Sequence, residues 1–176
     1  MVEASVEPIV VEIHDTDPFD EVKFRDAIQG RNFDVVFAMY GRWRSIVTVL
    51  QGRTPRLFSI GGFPIYDGFG EDATLVPTGL AVPPPEDAPL ALDDRNGTKP
   101  QRIAESEALT FELHPDATHF RYPYIFGPNQ VLPREWSIVK RALDGRRPLI
   151  LPDGGLTLVG SSYVENATHT LSLIHI

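Results

Sequence analysis

The sequence predicts an α/β fold, a parallel sheet with helices laid against it, and three observations carry that prediction. Val35-Val36-Phe37-Ala38-Met39-Tyr40 is an apolar run without alternation, as expected of a strand covered on both faces, and a short apolar run at Arg56-Leu57-Phe58-Ser59-Ile60 and a strand at about 118–122 follow it. Helix-length stretches closed by glycine separate them, the alternation that βαβ units and right-handed crossovers produce. In Phe120-Arg121-Tyr122-Pro123-Tyr124-Ile125-Phe126-Gly127-Pro128 an apolar run then breaks into Arg-x-Pro and Gly-Pro. Pro123 and Pro128 withhold backbone donors from a ladder, and Gly127 permits a turn that other residues resist. Ligands of open α/β sheets bind at the carboxyl ends of strands, so this strand end is a candidate site wall.

Each element follows from local chemistry. Ile9-Val10-Val11-Glu12-Ile13 is a short β-branched run, after which Asp17 is placed to N-cap a helix with Pro18 at its first position. That helix is expected to bury Phe19, Val22 and Ala27 and to stop at Gly30. The 35–40 strand ends at Gly41. A helix over about 42–51, with Gly52 as its stop, leads into the 56–60 strand, closed by Gly61-Gly62. Between 67 and 95, Pro77, Pro83, Pro84, Pro85 and Pro89 sit among small and acidic residues without sustained period, which reads as a long loop, a lid or an insertion.

Order resumes in a helix near 100–113, with Ile103, Leu109 and Leu113 on one side and Glu105, Glu107 and Glu112 elsewhere. The opening strand follows. A helix over 133–143 with Gly145 as stop presents Trp136, Val139 and Leu143 at helical spacing, and an amphipathic helix of this kind is expected to bury its aromatic. Leu149-Ile150-Leu151 and Leu156-Thr157-Leu158-Val159 flank Pro152-Asp153-Gly154-Gly155 as a short hairpin, and Tyr163-Val164-Glu165-Asn166 starts a last helix.

Composition narrows the function classes. The chain has 176 residues, 42% of them apolar and 23% charged, enough for one domain with a sizeable core. A net charge of −8 disfavours nucleic acid and anionic membrane, although Lys140-Arg141 and Arg146-Arg147 form a local basic patch. The absence of Cys excludes disulfides and thiolate chemistry. With no transmembrane-length run and no signal-peptide opening, the cytoplasm is the expected compartment and a small molecule the expected partner. His114 and His119 flank Asp116, but a loop plus one strand residue fixes no ligand geometry, so a solvated turn is expected and no metal.

These features together resemble the extended branch of the short-chain dehydrogenase/reductase superfamily, the NAD-dependent epimerase/dehydratase family. The resemblance rests on Asp17-x-x-Asp20 after an early strand, a fourth strand ending at Tyr40-Gly41 and a fifth followed by a turn with Ile65-Tyr66. Arg121-x-Pro123 with Gly127-Pro128, and the late Asp153-Gly154-Gly155 and Tyr163-Val164-Glu165-Asn166, complete it. It implies a Rossmann-like domain over 1–130 binding NAD or NADP, and the start of a smaller substrate-binding part over 131–170. The activity implied is an epimerase, dehydratase or reductase acting on a sugar nucleotide or similar hydroxyl or carbonyl substrate, and a homodimer is compatible with it. Carried over by position, Asp17 is implied as the adenine-contacting acid, with the N-cap as its alternative. Tyr40, Gly41, Gly61 and Gly62 are implied beside the cofactor, a plain turn being the alternative for the glycine pair. Tyr122 and Pro123 are implied at the nicotinamide ribose. For Arg121 a structural ion pair competes with ligand contact, and Arg134 and Trp136 are substrate candidates.

Two departures qualify the resemblance. The chain opens about where the family's third strand stands, and no GxGxxG turn occurs to hold a pyrophosphate; Gly68-Phe69-Gly70 with Ala73 falls in the loop. Nor is there a Tyr-x-x-x-Lys in the Glu105 and Glu107 helix, whose alignment puts Lys99 near the Tyr position, Ile103 near the Lys position and Gly62 at the Ser position. Tyr66 and Lys99 are the catalytic candidates that remain. The chain is therefore expected to be an inactive fragment of an NAD(P)-dependent enzyme, or else a relative kept as a non-catalytic Rossmann scaffold for ligand sensing or RNA binding. The terminal Leu171-Ser172-Leu173-Ile174-His175-Ile176 matches the in-frame translation of a transposon end used to tag sequencing libraries, so 171–176 is expected to be a non-native tail.

Overall fold

The computed structural model describes residues 20–39, 43–69, 80–92, 99–130, 133–149, 152–156 and 158–173. The early β-branched run, Asp17, Tyr40, Gly41 and the Gly70 to Ala73 stretch lie outside the described residues. Among the described ones the chain alternates as α1 (Glu21–Ile28), β1 (Val36–Ala38), α2 (Trp43–Val49), β2 (Leu57–Gly62), α3 (Lys99–Leu113) and β3 (Thr118–Tyr122). The three strands pair in parallel in the order β1-β2-β3. Right-handed crossovers between sequential neighbours place both connecting helices on one face. The Trp43 indole donating to the Ser106 carbonyl (3.0 Å) and Arg44 bonding Glu105 (2.8 Å) fasten α2 to α3 there.

Helix α1 is capped by Asp20, whose carboxylate accepts from the Lys23 N–H at 3.1 Å. Val22, expected to be buried, is 70% exposed, and the helix instead buries Ile28 and packs Phe24 near Val49 and Leu50. Its C-terminus turns at Gln29 (φ 46°) before Gly30 (φ 71°). Strand β1 also departs from expectation. Phe37 stacks on Phe58 with centroids 5.1 Å apart yet stays 43% exposed, so one face of this strand is open among the described residues.

Gly61 and Gly62 do not close β2 by a turn; both lie within the strand, Gly62 with extended φ −158° and ψ 163°. A single 3₁₀ turn, Phe63–Ile65, follows and delivers Tyr66. The expected long loop is partly ordered against that turn. Tyr66 bridges Leu90, the Asp67 N–H donates to the Pro89 carbonyl (2.8 Å) and the Ala91 N–H to the Ile65 carbonyl (2.8 Å). Ala88 joins Ile65, Tyr66 and Ala104 in a buried cluster, because apolar side chains at 80, 88 and 90 gave this segment a face to bury.

The helix and strand expected at 100–113 and 118–122 form there. Glu107, however, is buried inside the fold, because ionic partners wait for it on β3. Pro123 interrupts β3, but the chain does not leave the sheet region as a loop: β4 (Tyr124–Phe126) pairs in parallel with β5 (Ser161–Tyr163), giving a second, two-stranded sheet. Between them stands α4 (Trp136–Leu143), whose Trp136, Val139 and Leu143 are 51%, 45% and 73% exposed, contrary to the burial its spacing suggested. The hairpin expected around 152–155 is a 3₁₀ turn, Pro152–Gly155, with Leu156, Leu158 and Val159 exposed rather than paired. Helix α5 (Val164–Ser172) continues directly from β5.

Candidate functional site

The carboxyl ends of β2 and β3 stand side by side, with Gly61 opposite Arg121 and Gly62 opposite Tyr122 in register. A methyl on Gly62 would meet the Tyr122 carbonyl and Pro64 at 3.3 Å, so the absent side chain lets the two backbones and the following turn close up. Pro123 lies next, its ring 3.7 Å from where a side chain on Gly160 would stand. Of the residues implied at a cofactor, the structure therefore brings together Gly61, Gly62, Tyr122 and Pro123. The Tyr122 hydroxyl is already committed: it donates to the Ala167 carbonyl at 2.7 Å, tying α5 to this strand end, and burial pushes its phenol pKa up.

Successive residues of β3 face opposite sides, so Tyr122 looks toward α5 while His119 and Arg121 look toward α3. On the α3 side lies a polar cluster that sequence reasoning did not assemble. Glu107 accepts two bonds from Arg121, Nη2 to Oε1 at 2.6 Å and Nε to Oε2 at 3.0 Å, the bidentate fork that suits a guanidinium and a carboxylate. Arg121 Nη1 donates to the Tyr66 hydroxyl (3.1 Å) and to the Glu86 carbonyl (2.9 Å), with the guanidinium 5.1 Å from the Tyr66 ring centre. His119, its side chain 1% exposed, has Nδ1 2.6 Å from the Ser59 hydroxyl. Its Nε2 lies 3.1 Å from Glu107 Oε2 but off the line a ring N–H requires, a close approach without a directed hydrogen bond.

Burial alone would raise the Glu107 carboxyl, but the contacts from His119 and Arg121 outweigh it and hold the group at about 2. Arg121 moves the other way: its bonds to Glu107 outweigh its own desolvation and raise it further, so it remains charged. Gly61 makes this arrangement possible. A Cβ there would lie 2.4 Å from His119 Nε2 and 3.1 Å from the Trp43 ring, so the close approach at Gly61 is to a buried imidazole of the protein itself. Ser59, His119 and Glu107 follow one another like a nucleophile relay, yet Ser59 is fully buried and no substrate reaches it in this conformation.

The remaining candidates scatter. No hydrogen bond or ion pair joins Tyr66 to Lys99; Tyr66 is 3% exposed and partnered by Arg121, while Lys99 sits exposed at the start of α3. Arg134 lies over the Tyr124 ring, 4.4 Å from its centre, and Trp136 faces outward. His114 is not in a solvated turn: it is buried, with Nε2 2.8 Å from the Val47 carbonyl. Among the described residues no group of three potential metal ligands converges, and no helix is long and apolar enough to cross a membrane. An apolar hollow of about 470 Å³, lined by Phe24, Phe33, Phe37, Ile46 and Leu50, lies along β1 and α1 rather than at the strand ends.

No family model matches the chain, and no curated protein does. Solved structures do. The Bordetella bronchiseptica enzyme WbmG in complex with NAD and UDP superposes with a TM-score of 0.66 at 14% identity, over 91% of this chain and 52% of that one. The same enzyme in complex with NAD alone gives the same values. At that identity the likeness establishes a shared fold, a Rossmann-like parallel sheet with flanking helices, and the chain spans about half the length of the structures it matches.

Proposed function

We propose that this chain is part of a longer protein of the extended short-chain dehydrogenase/reductase kind that binds NAD or NADP and acts on a sugar nucleotide or a similar small hydroxyl or carbonyl substrate. The observation that carries the reading is the superposition of nine-tenths of the chain on an enzyme solved with NAD and UDP, joined to the closed-up glycine strand end beside Tyr122 and Pro123. In this reading Gly61, Gly62, Tyr122 and Pro123 form one wall of a dinucleotide cleft, and Asp17, Tyr40 and Gly41 border the same ligand. Arg134 and Trp136 belong to the substrate part that begins after residue 130. The phosphate-binding side is a glycine-rich turn before a helix, whose N–H groups hold a pyrophosphate; this sequence contains no such turn.

The chain by itself is therefore expected to bind dinucleotide weakly or not at all, and to catalyse nothing. Calorimetric titration with NAD and NADP checks the first expectation: heats fitting a micromolar affinity would contradict it.

A second reading is favoured by one observation. The position implied for a catalytic hydroxyl is Gly62, the neighbouring Gly61 is packed against His119, and Tyr66 is enclosed beside Arg121, so the catalytic groups of the resemblance have no counterparts placed to act. This supports a non-catalytic Rossmann scaffold that senses a nucleotide ligand, and the net charge of −8 weighs against RNA as that ligand. Expression of the longer protein and assay of hydride exchange with candidate sugar nucleotides separates the two. Turnover supports the enzyme, and dinucleotide binding without turnover supports the scaffold.

A further inference from the structure

Besides the apolar packing of Leu80, Ala88 and Leu90, residues 80–92 are fastened by hydrogen bonds of two kinds. At 89–91 the attachment is backbone pairing with the turn after β2, through the Asp67 to Pro89 and Ala91 to Ile65 hydrogen bonds and the Tyr66 to Leu90 bridge. Earlier in the segment, two side-chain bonds converge on one atom, the Glu86 carbonyl. Arg121 Nη1 donates to it at 2.9 Å and the Tyr66 hydroxyl at 3.5 Å. Between these attachments only Ala88 is buried, while Glu86 and Asp87 are exposed and Pro83-Pro84-Pro85 stiffen the arm before them. Beneath lies Tyr66, brought to 3% exposure in a cluster with Leu80, Ala88 and Leu90.

We propose that residues 80–87 form a hinged strap, with the backbone pairing at 89–91 as hinge and Arg121 as latch, which closes over Tyr66 and uncovers the Tyr66–Arg121 pair when it swings out. Glu107 is what makes Arg121 able to serve. The bidentate pair holds Nε and Nη2, which fixes the guanidinium plane and aims Nη1 at the Glu86 carbonyl. The charged and titratable groups facing the latch are Glu107 from α3, His119 from the same strand and Tyr66 from the turn after β2. Arg121 is thus a positioning residue for the strap. The open state presents a phenol and a guanidinium together at the strand ends, and the device stands whether or not the adjoining cleft binds a dinucleotide.

The test uses the whole chain and reads the strap separately from the sheet. Arg121→Lys keeps a cation for Glu107 but loses the planar fork that reaches Glu86. Three quantities are measured: the rate of cleavage after Glu86 by a glutamate-specific protease, the rate of nitration of Tyr66 by tetranitromethane, and amide exchange of residues 57–62 and 118–122. The expected result is cleavage and nitration faster by about tenfold, the loss of one charge-assisted bond, with sheet amides as protected as in the parent chain. Unchanged rates overturn the proposal, as does a rise that merely follows an equal loss of sheet protection. Should Arg121→Lys fail to fold, Tyr66→Phe decides. It removes one of the two bonds to the Glu86 carbonyl, so cleavage after Glu86 is expected to rise about threefold, and an unchanged rate overturns the strap.

Discussion

Glu107 is the residue on which the interior of this fold turns. Its carboxyl stands at about 2 in the folded chain against 4.5 ordinarily, so folding favours the ionised form. A depressed carboxylate contributes stability that is fully present above its unfolded value and lost as pH falls through the folded one. The window here runs from about 4.5 down to about 2, and the shift corresponds to roughly 3 kcal/mol. Urea unfolding at pH 7 and pH 3 is expected to show about 2 kcal/mol of that loss in the parent chain, since pH 3 lies partway through the window. In Glu107→Gln the loss assignable to this group should vanish, while the variant is less stable at pH 7 by about 3–5 kcal/mol, because Arg121 keeps its charge without an anionic partner. A pH 3 loss as large in the variant as in the parent would contradict the assignment. At Gly61 a single methyl meets the His119 ring and Trp43 together, so Gly61→Ala is expected to cost about 1–3 kcal/mol by overpacking, measured by the same unfolding curves. What the sequence disclosed at this scale was residue type without partnership. Ser59, Glu107, His119 and Arg121 were visible, but Glu107 read only as one of three acids off the apolar side of its helix. Its burial depends on which face of β3 points at α3, and one signal was available: His119 and Arg121 are two apart and so share a strand face.

Elements were more legible than residues, because hydrophobic periodicity and glycine stops act locally. The 118–122 strand formed at its expected bounds, and the 100–113 helix gained only Lys99. Where the reading failed, tertiary context had overridden a local cue. Pro123 does withhold a donor, yet β4 resumes one residue later because β5 offers it a parallel partner from 35 residues or more downstream, beyond any local window. Gly61-Gly62 carries a turn signature, but close packing against His119 and the Tyr122 carbonyl gives glycine a different use within a strand. The segment 80–92 lacked period because it is fixed by a bridge, a buried alanine and an arginine rather than by regular structure. One helix end is improvable. Gln29 holds a left-handed φ of 46° at the C-terminus of α1, a conformation glycine adopts without the Cβ penalty. Gln29→Gly is expected to raise stability by about 0.5–1 kcal/mol, seen as an upward shift in thermal midpoint. A lowered midpoint would mean that the Gln29 side chain contributes something its exposure does not suggest.

At the scale of the whole molecule, the α/β class and the parallel sheet followed from the alternation of apolar runs with glycine-stopped helices, and the Rossmann-like likeness to WbmG agrees with them. Less legible was where the apolar surface ends. Phe37, Trp136, Leu143, Leu156 and Leu158 were expected inside on periodicity, or as paired strands, and are exposed, since periodicity states that a face is apolar without saying that anything covers it. The central claim is that Gly61, Gly62, Tyr122 and Pro123 wall a dinucleotide cleft completed by other parts of a longer protein. The most direct measurement is calorimetric titration of that longer protein with NAD and NADP, beside its Gly62→Leu variant, with thermal unfolding of both to confirm that the variant folds. Micromolar affinity for one of the two dinucleotides is predicted, with at least a tenfold loss in the variant, because a side chain forced against Pro64 and the Tyr122 carbonyl pushes the two strand ends apart and displaces the wall they form. Absence of binding to either dinucleotide, or an affinity that a folded Gly62→Leu variant leaves unchanged, would contradict it.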